Sequence, residues 1–246
     1  MKTQPTRPPS ERAAARRETY EANLSHAALW AHPSWYMAIL CVDESIVEQW
    51  RHTLAHTSKH ALHACSRTLA EAANVIHPDP DAYQRPALET PANSPARLNL
   101  ALLNMLPISV GLQVLCMRAL VFRRIELRRM IDKRVWARLS EWAGIHIETL
   151  IADAPPMDTL ETDHGLHLPI DALDAPTLAN EGFVLFTRDG CHDGLSYRPL
   201  LQLALRHGGH DSGAPAFMPG KTDANGSAWL YSQLPNWLGT WSWLFG

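Results

Sequence analysis

Four histidines, His52, His56, His60 and His63, are the first residues whose type and spacing suggest chemistry. Three of them recur every four residues, so on a helix their imidazoles share a face, where an i, i+4 pair can chelate a metal. No carboxylate or cysteine completes a ligand set there, and Cys65 points elsewhere on the wheel. They read as a polar, solvated face opposite the apolar stripe Trp50, Leu54 and Leu62. A second group, His164, His167, Cys191, His192, Asp193, His207, His210 and Asp211, has the residue types of a zinc or hydrolytic site. Its spacing matches no HExxH or CxxC pattern, and Asp189-Gly-Cys-His-Asp-Gly194 reads as turn chemistry. Nucleophile-elbow and phosphate-loop motifs are missing, since the Gly220-Lys221 pair has no glycine five residues earlier. No catalytic residue, metal ligand or cofactor is assigned, and a non-enzymatic role is expected. A metal-dependent hydrolase built on the loop histidines is the weaker alternative.

Charge concentrates in Arg118, Arg123, Arg124, Arg128, Arg129, Lys133, Arg134 and Arg138. Three readings apply. The arginine stems can cover a core edge with their heads in water. They can form a docking face for an acidic protein. They can also belong to a helix-turn-helix regulator that lays Lys133–Ala143 in the major groove of DNA. Glu126, Asp132 and Glu141 interrupt the field, and Trp136, Leu139 and Trp142 stripe that helix, which ranks DNA last. Arg124, Arg128, Arg134 and Arg138 are the candidate protein contacts. At the C-terminus Trp229, Tyr231, Trp237, Trp241, Trp243 and Phe245 are too many aromatics to solvate together. They either close the core or anchor a partner, and Trp237, Trp241 and Trp243 are candidates for the second role.

The elements that position these residues are helical. Residues 1–10 are polar and proline-bearing, a tail expected to be disordered. An N-terminal helical region spans 11–76. It opens with Ser10 as N-cap and ends a first helix at His32-Pro33. An amphipathic run follows from Asp43 to Ile76, weakened near Thr57-Ser58. Five prolines mark 77–97 as a linker or long irregular loop. Residues 98–246 form a helical core region with acidic and glycine-rich loops. Within it Pro107 falls in the first turn of a helix, Asp132 caps another, and Gly144 ends that one. Phe183–Gly190 reads as a strand, giving a small strand pair near 183–198, or as the end of a helix. The expected fold is a mainly α, multi-helix globular protein.

Composition agrees. At 46% apolar and 19% charged residues the chain is globular rather than disordered. A net charge of −3 provides no basic field over the whole chain to attract nucleic acid or anionic lipid. Four widely spaced cysteines fit a reducing compartment, and there is neither a secretory signal nor an 18-residue apolar run, so a cytosolic location is expected.

Three phrases then fall in a familiar order: YEANLSHAALWAHPSW, LLNMLPISVGLQVL followed by RALVFRRIELRRMIDKRVWARLSEWAG, and LPNWLGTWSWLFG. Together they resemble the SctK (YscK-like) accessory proteins of bacterial type III secretion, in the Hrp branch of plant-associated bacteria. The resemblance implies a cytosolic adaptor of the injectisome sorting platform, peripheral to the inner membrane. It would link the cytoplasmic domain of an SctD-like ring protein to the SctQ-like pod protein that carries the ATPase complex. It also implies no enzymatic activity and no cofactor. The 77–97 stretch and the histidine-bearing helix match that family least.

Overall fold

A computed structural model describes residues 8–90, 96–152, 154–155, 168–190, 198–208, 223 and 225–246. The fold is mainly α. In the first third, α1 (Pro9–Ser25), α2 (Ala27–Trp30), α3 (Pro33–Leu40), α4 (Glu44–Ala55) and α5 (Lys59–Ala72) follow one another through tight caps. The second third holds α6 (Ile108–Phe122), α7 (Arg124–Arg129), α8 (Lys133–Ala143) and α9 (Ile147–Ala152). α10 (Ala175–Gly190) and α11 (Gly226–Trp237) complete it, with a final 3-10 turn at Gly239–Leu244. The two-residue strands β1 (Leu88–Glu89) and β2 (Arg97–Leu98) pair antiparallel, Leu88 opposite Leu98.

Local chemistry explains most boundaries. Asp132 accepts the Arg134 N–H at 2.7 Å and starts α8; Gly144, at φ 69°, ends it in a left-handed conformation that costs glycine little. His32 does more than end the preceding helix: its Nδ1 accepts the Ser34 N–H at 3.2 Å, and Pro33 opens α3. The amphipathic run from Asp43 to Ile76 is two helices, because Ser58 accepts the Ala61 N–H at 3.2 Å and restarts the chain as α5. Ser10 is not the cap expected of it. The helix already begins at Pro9, with Pro8 in the capping position. Pro107 likewise sits one step before α6 as its N-cap.

The strand reading of Phe183–Gly190 is corrected. These residues form the second half of α10, and the small strand pair lies at 88–98 instead; residues 191–197 fall outside the described residues. The reason is packing. α6 is buried on all sides over Val114–Val121, so it must be wrapped by helices. α10 lies along it through Leu178, Ala179, Gly182, Phe183 and Phe186, a helical spacing that extends beyond the eight-residue aromatic run. At the contact a Cβ on Gly182 would stand 1.8 Å from the Leu115 carbonyl oxygen, so only glycine permits the approach.

One hydrophobic cluster runs from Tyr20 in α1 to Phe245. It spans both sides of the proline-rich stretch, of which Pro80–Tyr83 lies against α1. The Arg16 guanidinium donates to the carbonyls of Tyr83 (3.0 Å), Arg85 (2.9 Å) and Leu244, joining the N-terminal helix, the proline-rich stretch and the C-terminus. Further ties cross the same boundary: His32 N–H to the Leu203 carbonyl at 2.7 Å, and Trp35 Nε1 to the Leu205 carbonyl at 2.9 Å. Among the described residues no helix is long and apolar enough to cross a membrane.

Candidate interaction surfaces

The basic segment divides into an inner and an outer half. Arg118 on α6 and Arg124 at the start of α7 are buried, and burying a charge requires a partner. Arg118 pairs with Asp189 at 2.9 Å and Asp223 at 2.6 Å, and its Nε donates to the Ser227 hydroxyl at 2.6 Å. Arg124 reaches the other oxygen of Asp223 at 3.1 Å and the Val121 carbonyl at 2.6 Å. Ser227 in turn donates to Asp189. Arg123 is held by Glu181 at 2.8 Å and Glu126 at 3.0 Å. Burial disfavours its charge, but bonding to Glu181 and the charges of Glu181 and Glu126 outweigh that and hold the guanidinium above its ordinary value.

This arrangement corrects one candidate contact. Arg124 is 1% exposed and its charge is spent on Asp223, so it serves the fold rather than a partner surface. With Arg118 and Arg123 it makes three of the eight cations of the segment buried.

The outer half occupies the α7–α8 turn. Arg128, Arg129, Lys133 and Arg134 are exposed. Arg128 is partly tethered, donating to the Ile151 carbonyl at 3.1 Å. Arg138 is half-buried; it donates to the Asp171 carbonyl at 2.8 Å and lies 5.1 Å over the Trp142 ring. On α8 the stripe expected from Trp136, Leu139 and Trp142 does face the core, with Leu139 fully buried and both tryptophans half-buried.

At the C-terminus Trp237, Trp241 and Trp243 are half-buried and packed on the core, while Tyr231 and Phe245 are buried edge-to-face at 5.4 Å. These aromatics therefore close the core, and the three tryptophans keep an outer edge in solvent.

His52 and His56 stand 4.9 Å apart at the end of α4, but the Ser58 cap places His60 and His63 on a separate helix. Among the described residues no group of three or more His, Cys, Asp or Glu is placed to hold a metal. Of the loop group only His207 is described, against Trp35 at 4.6 Å; its other members lie outside the described residues. A groove of about 600 Å³ between α1 and residues 77–84 is lined by Arg17, Tyr20, Glu21, Arg67, His77 and Tyr83, with the Tyr20 hydroxyl and His77 Nδ1 hydrogen-bonded at 2.9 Å.

Two exposed features escaped the sequence reading. Met37 and Leu40 on α3 and Ile46 and Trp50 on α4 are 37–47% exposed, although Ile46 and Trp50 belong to the periodic apolar stripe. Of that stripe in α4 only Val47 is buried. Ile131, in the α7–α8 turn, is 92% exposed among the outer cations. Its signal was an apolar residue directly before the N-cap Asp132, with no helix of its own to join.

Residues 7–239 match the family described as bacterial type III secretion protein (HrpB4). No curated protein and no solved structure matches the chain. The match covers nearly every element described above, from α1 to α11 and the start of the last turn, and it bears out the resemblance to the Hrp-branch accessory proteins. The chain therefore belongs to the HrpB4 family of bacterial type III secretion proteins.

Proposed function

We propose that this chain is a non-enzymatic cytosolic adaptor of a type III secretion apparatus, linking the cytoplasmic domain of an SctD-like inner-membrane ring protein to an SctQ-like pod protein. Membership of the HrpB4 family over residues 7–239 carries this reading. A single helical body with one continuous core suits a scaffold, because two partners bound at separate faces keep a fixed spacing. The contacts fall on Arg128, Arg134 and Arg138 at one face and on the outer edges of Trp237, Trp241 and Trp243 at another. Attachment to the inner membrane is through these partners, and no cofactor takes part.

Affinity purification of the chain from its native bacterium, with identification of what co-purifies, tests the proposal. The ring protein and the pod protein are expected in stoichiometric recovery. Recovery of neither, under conditions that keep the apparatus intact, overturns it.

A further inference from the structure

We infer that the α7–α8 turn is a docking knuckle in which Ile131 enters an apolar socket on a partner protein, ringed by acidic side chains that meet Arg129, Lys133 and Arg134. The inference rests on the adaptor reading and adds to it the chemistry of one contact.

Between Arg128 and Arg134 the chain carries four cations and one carboxylate, Asp132. That carboxylate is already engaged, accepting the Arg134 N–H at 2.7 Å as the cap of α8. Among the described residues Arg129, Lys133 and Arg134 have no carboxylate within ion-pair distance, whereas the inner arginines of the same segment all do. In their midst Ile131 is 92% exposed, though its neighbours Met130 and Val135 pack against the core. The turn is fixed at both ends, by Arg128 on the Ile151 carbonyl and by the Asp132 cap, so Ile131 is presented without a large ordering cost on binding. A central apolar anchor with a charged rim is the anatomy of a protein contact.

Charge complementarity selects an acidic protein surface over an anionic bilayer. The whole chain carries −3, so an extended anionic surface repels it at long range. A local acidic patch, within about one Debye length of roughly 8 Å, meets chiefly the turn, whose four cations outnumber the single carboxylate Asp132. One isoleucine also offers little area for insertion into lipid.

The test uses the full chain with the purified pod protein and, separately, the purified cytoplasmic ring domain, by interferometry at about 50 and about 500 mM NaCl. At least one partner is expected to bind wild-type protein, more weakly in high salt. Ile131→Ser should weaken that binding roughly tenfold or more, while Ile131→Val largely preserves it. The Arg129→Glu/Lys133→Glu double variant should weaken it to a similar degree and remove most of the salt dependence. All three variants should keep the wild-type circular dichroism and melting temperature, because the altered side chains are exposed. Unchanged affinity of Ile131→Ser for every partner that wild type binds overturns the knuckle and leaves the adaptor reading standing. Absence of wild-type binding to both partners overturns both. Two controls identify other occupants: phosphatidylglycerol vesicles, and light scattering of the chain alone. Vesicle binding or self-association lost in the same variants would give the turn to lipid or to a second copy and overturn the assignment.

Discussion

Arg118 and Asp223 face each other at 2.6 Å in the interior, with 0% and 1% of their side chains exposed. Asp223 also pairs with Arg124, and Arg118 with Asp189, so the ions share their partners. Neutralising one member strands the others in a low-dielectric interior. Asp223→Ala is expected to destabilise the fold by about 3–5 kcal/mol, read from the urea unfolding midpoint. Arg134→Ala, on the exposed turn, should leave the midpoint unchanged. Equal midpoints for the two variants would contradict the burial of this network.

Gly182 tests the contact between α6 and α10. A methyl group there meets the Leu115 carbonyl at 1.8 Å, which backbone must move to relieve. Gly182→Ala should cost about 3 kcal/mol or more despite the better helix propensity of alanine. Thermal melting of the variant measures it, and a wild-type melting temperature would mean that the two helices do not meet at this point.

The legibility of the sequence divided along the same line. Asp132, Gly144 and the periodicity of α5 were readable because caps and amphipathic stripes are local signals. The inward turn of Arg124 was not readable, since its neutralising carboxylate lies 99 residues away. Phe183–Gly190 left a strand and a helix end both open, because an eight-residue apolar run fits either, and the helical spacing that begins at Leu178 decides for the helix end. Ile46 and Trp50 fitted a core stripe by period and yet face outward, because α4 buries only Val47. Periodicity identifies a helix face; it does not say how much of that face finds a neighbour.

Arg16 should act as a clasp. Its guanidinium bonds the carbonyls of Tyr83, Arg85 and Leu244, and burial holds its pKa below the ordinary value, with Arg12 adding to the effect. Arg16→Met keeps the apolar stem and removes the bonds. Amide exchange is expected to rise around residues 80–90 and 240–246 while protection of α6 and α10 is retained. Unaltered exchange in those two segments would remove the clasp.

Cys116 offers a pH-dependent test. Burial pushes its thiol from 9.0 to about 12, with a backbone hydrogen bond opposing in part. The folded state therefore keeps this proton where the unfolded state loses it, so stability falls as pH rises through the window from 9.0 to about 12. Tyr36, raised from 10.0 to about 12 chiefly by burial, adds to the loss above pH 10.0. In a Cys191→Ser background, iodoacetamide at about pH 8 should label the exposed Cys41 and Cys65 and spare Cys116 until urea unfolds the protein. Labelling of Cys116 in the native state, by mass spectrometry of its peptide, would contradict the packing around α6.

The adaptor claim is tested most directly by reconstitution. Purified chain, cytoplasmic ring domain and pod protein are mixed and their complexes weighed by size-exclusion chromatography with light scattering. A three-component complex is expected only when the chain is present, together with a two-component complex of the chain with each partner. Association of the ring domain with the pod protein to the same extent without the chain, or failure of the chain to bind either one, would contradict it.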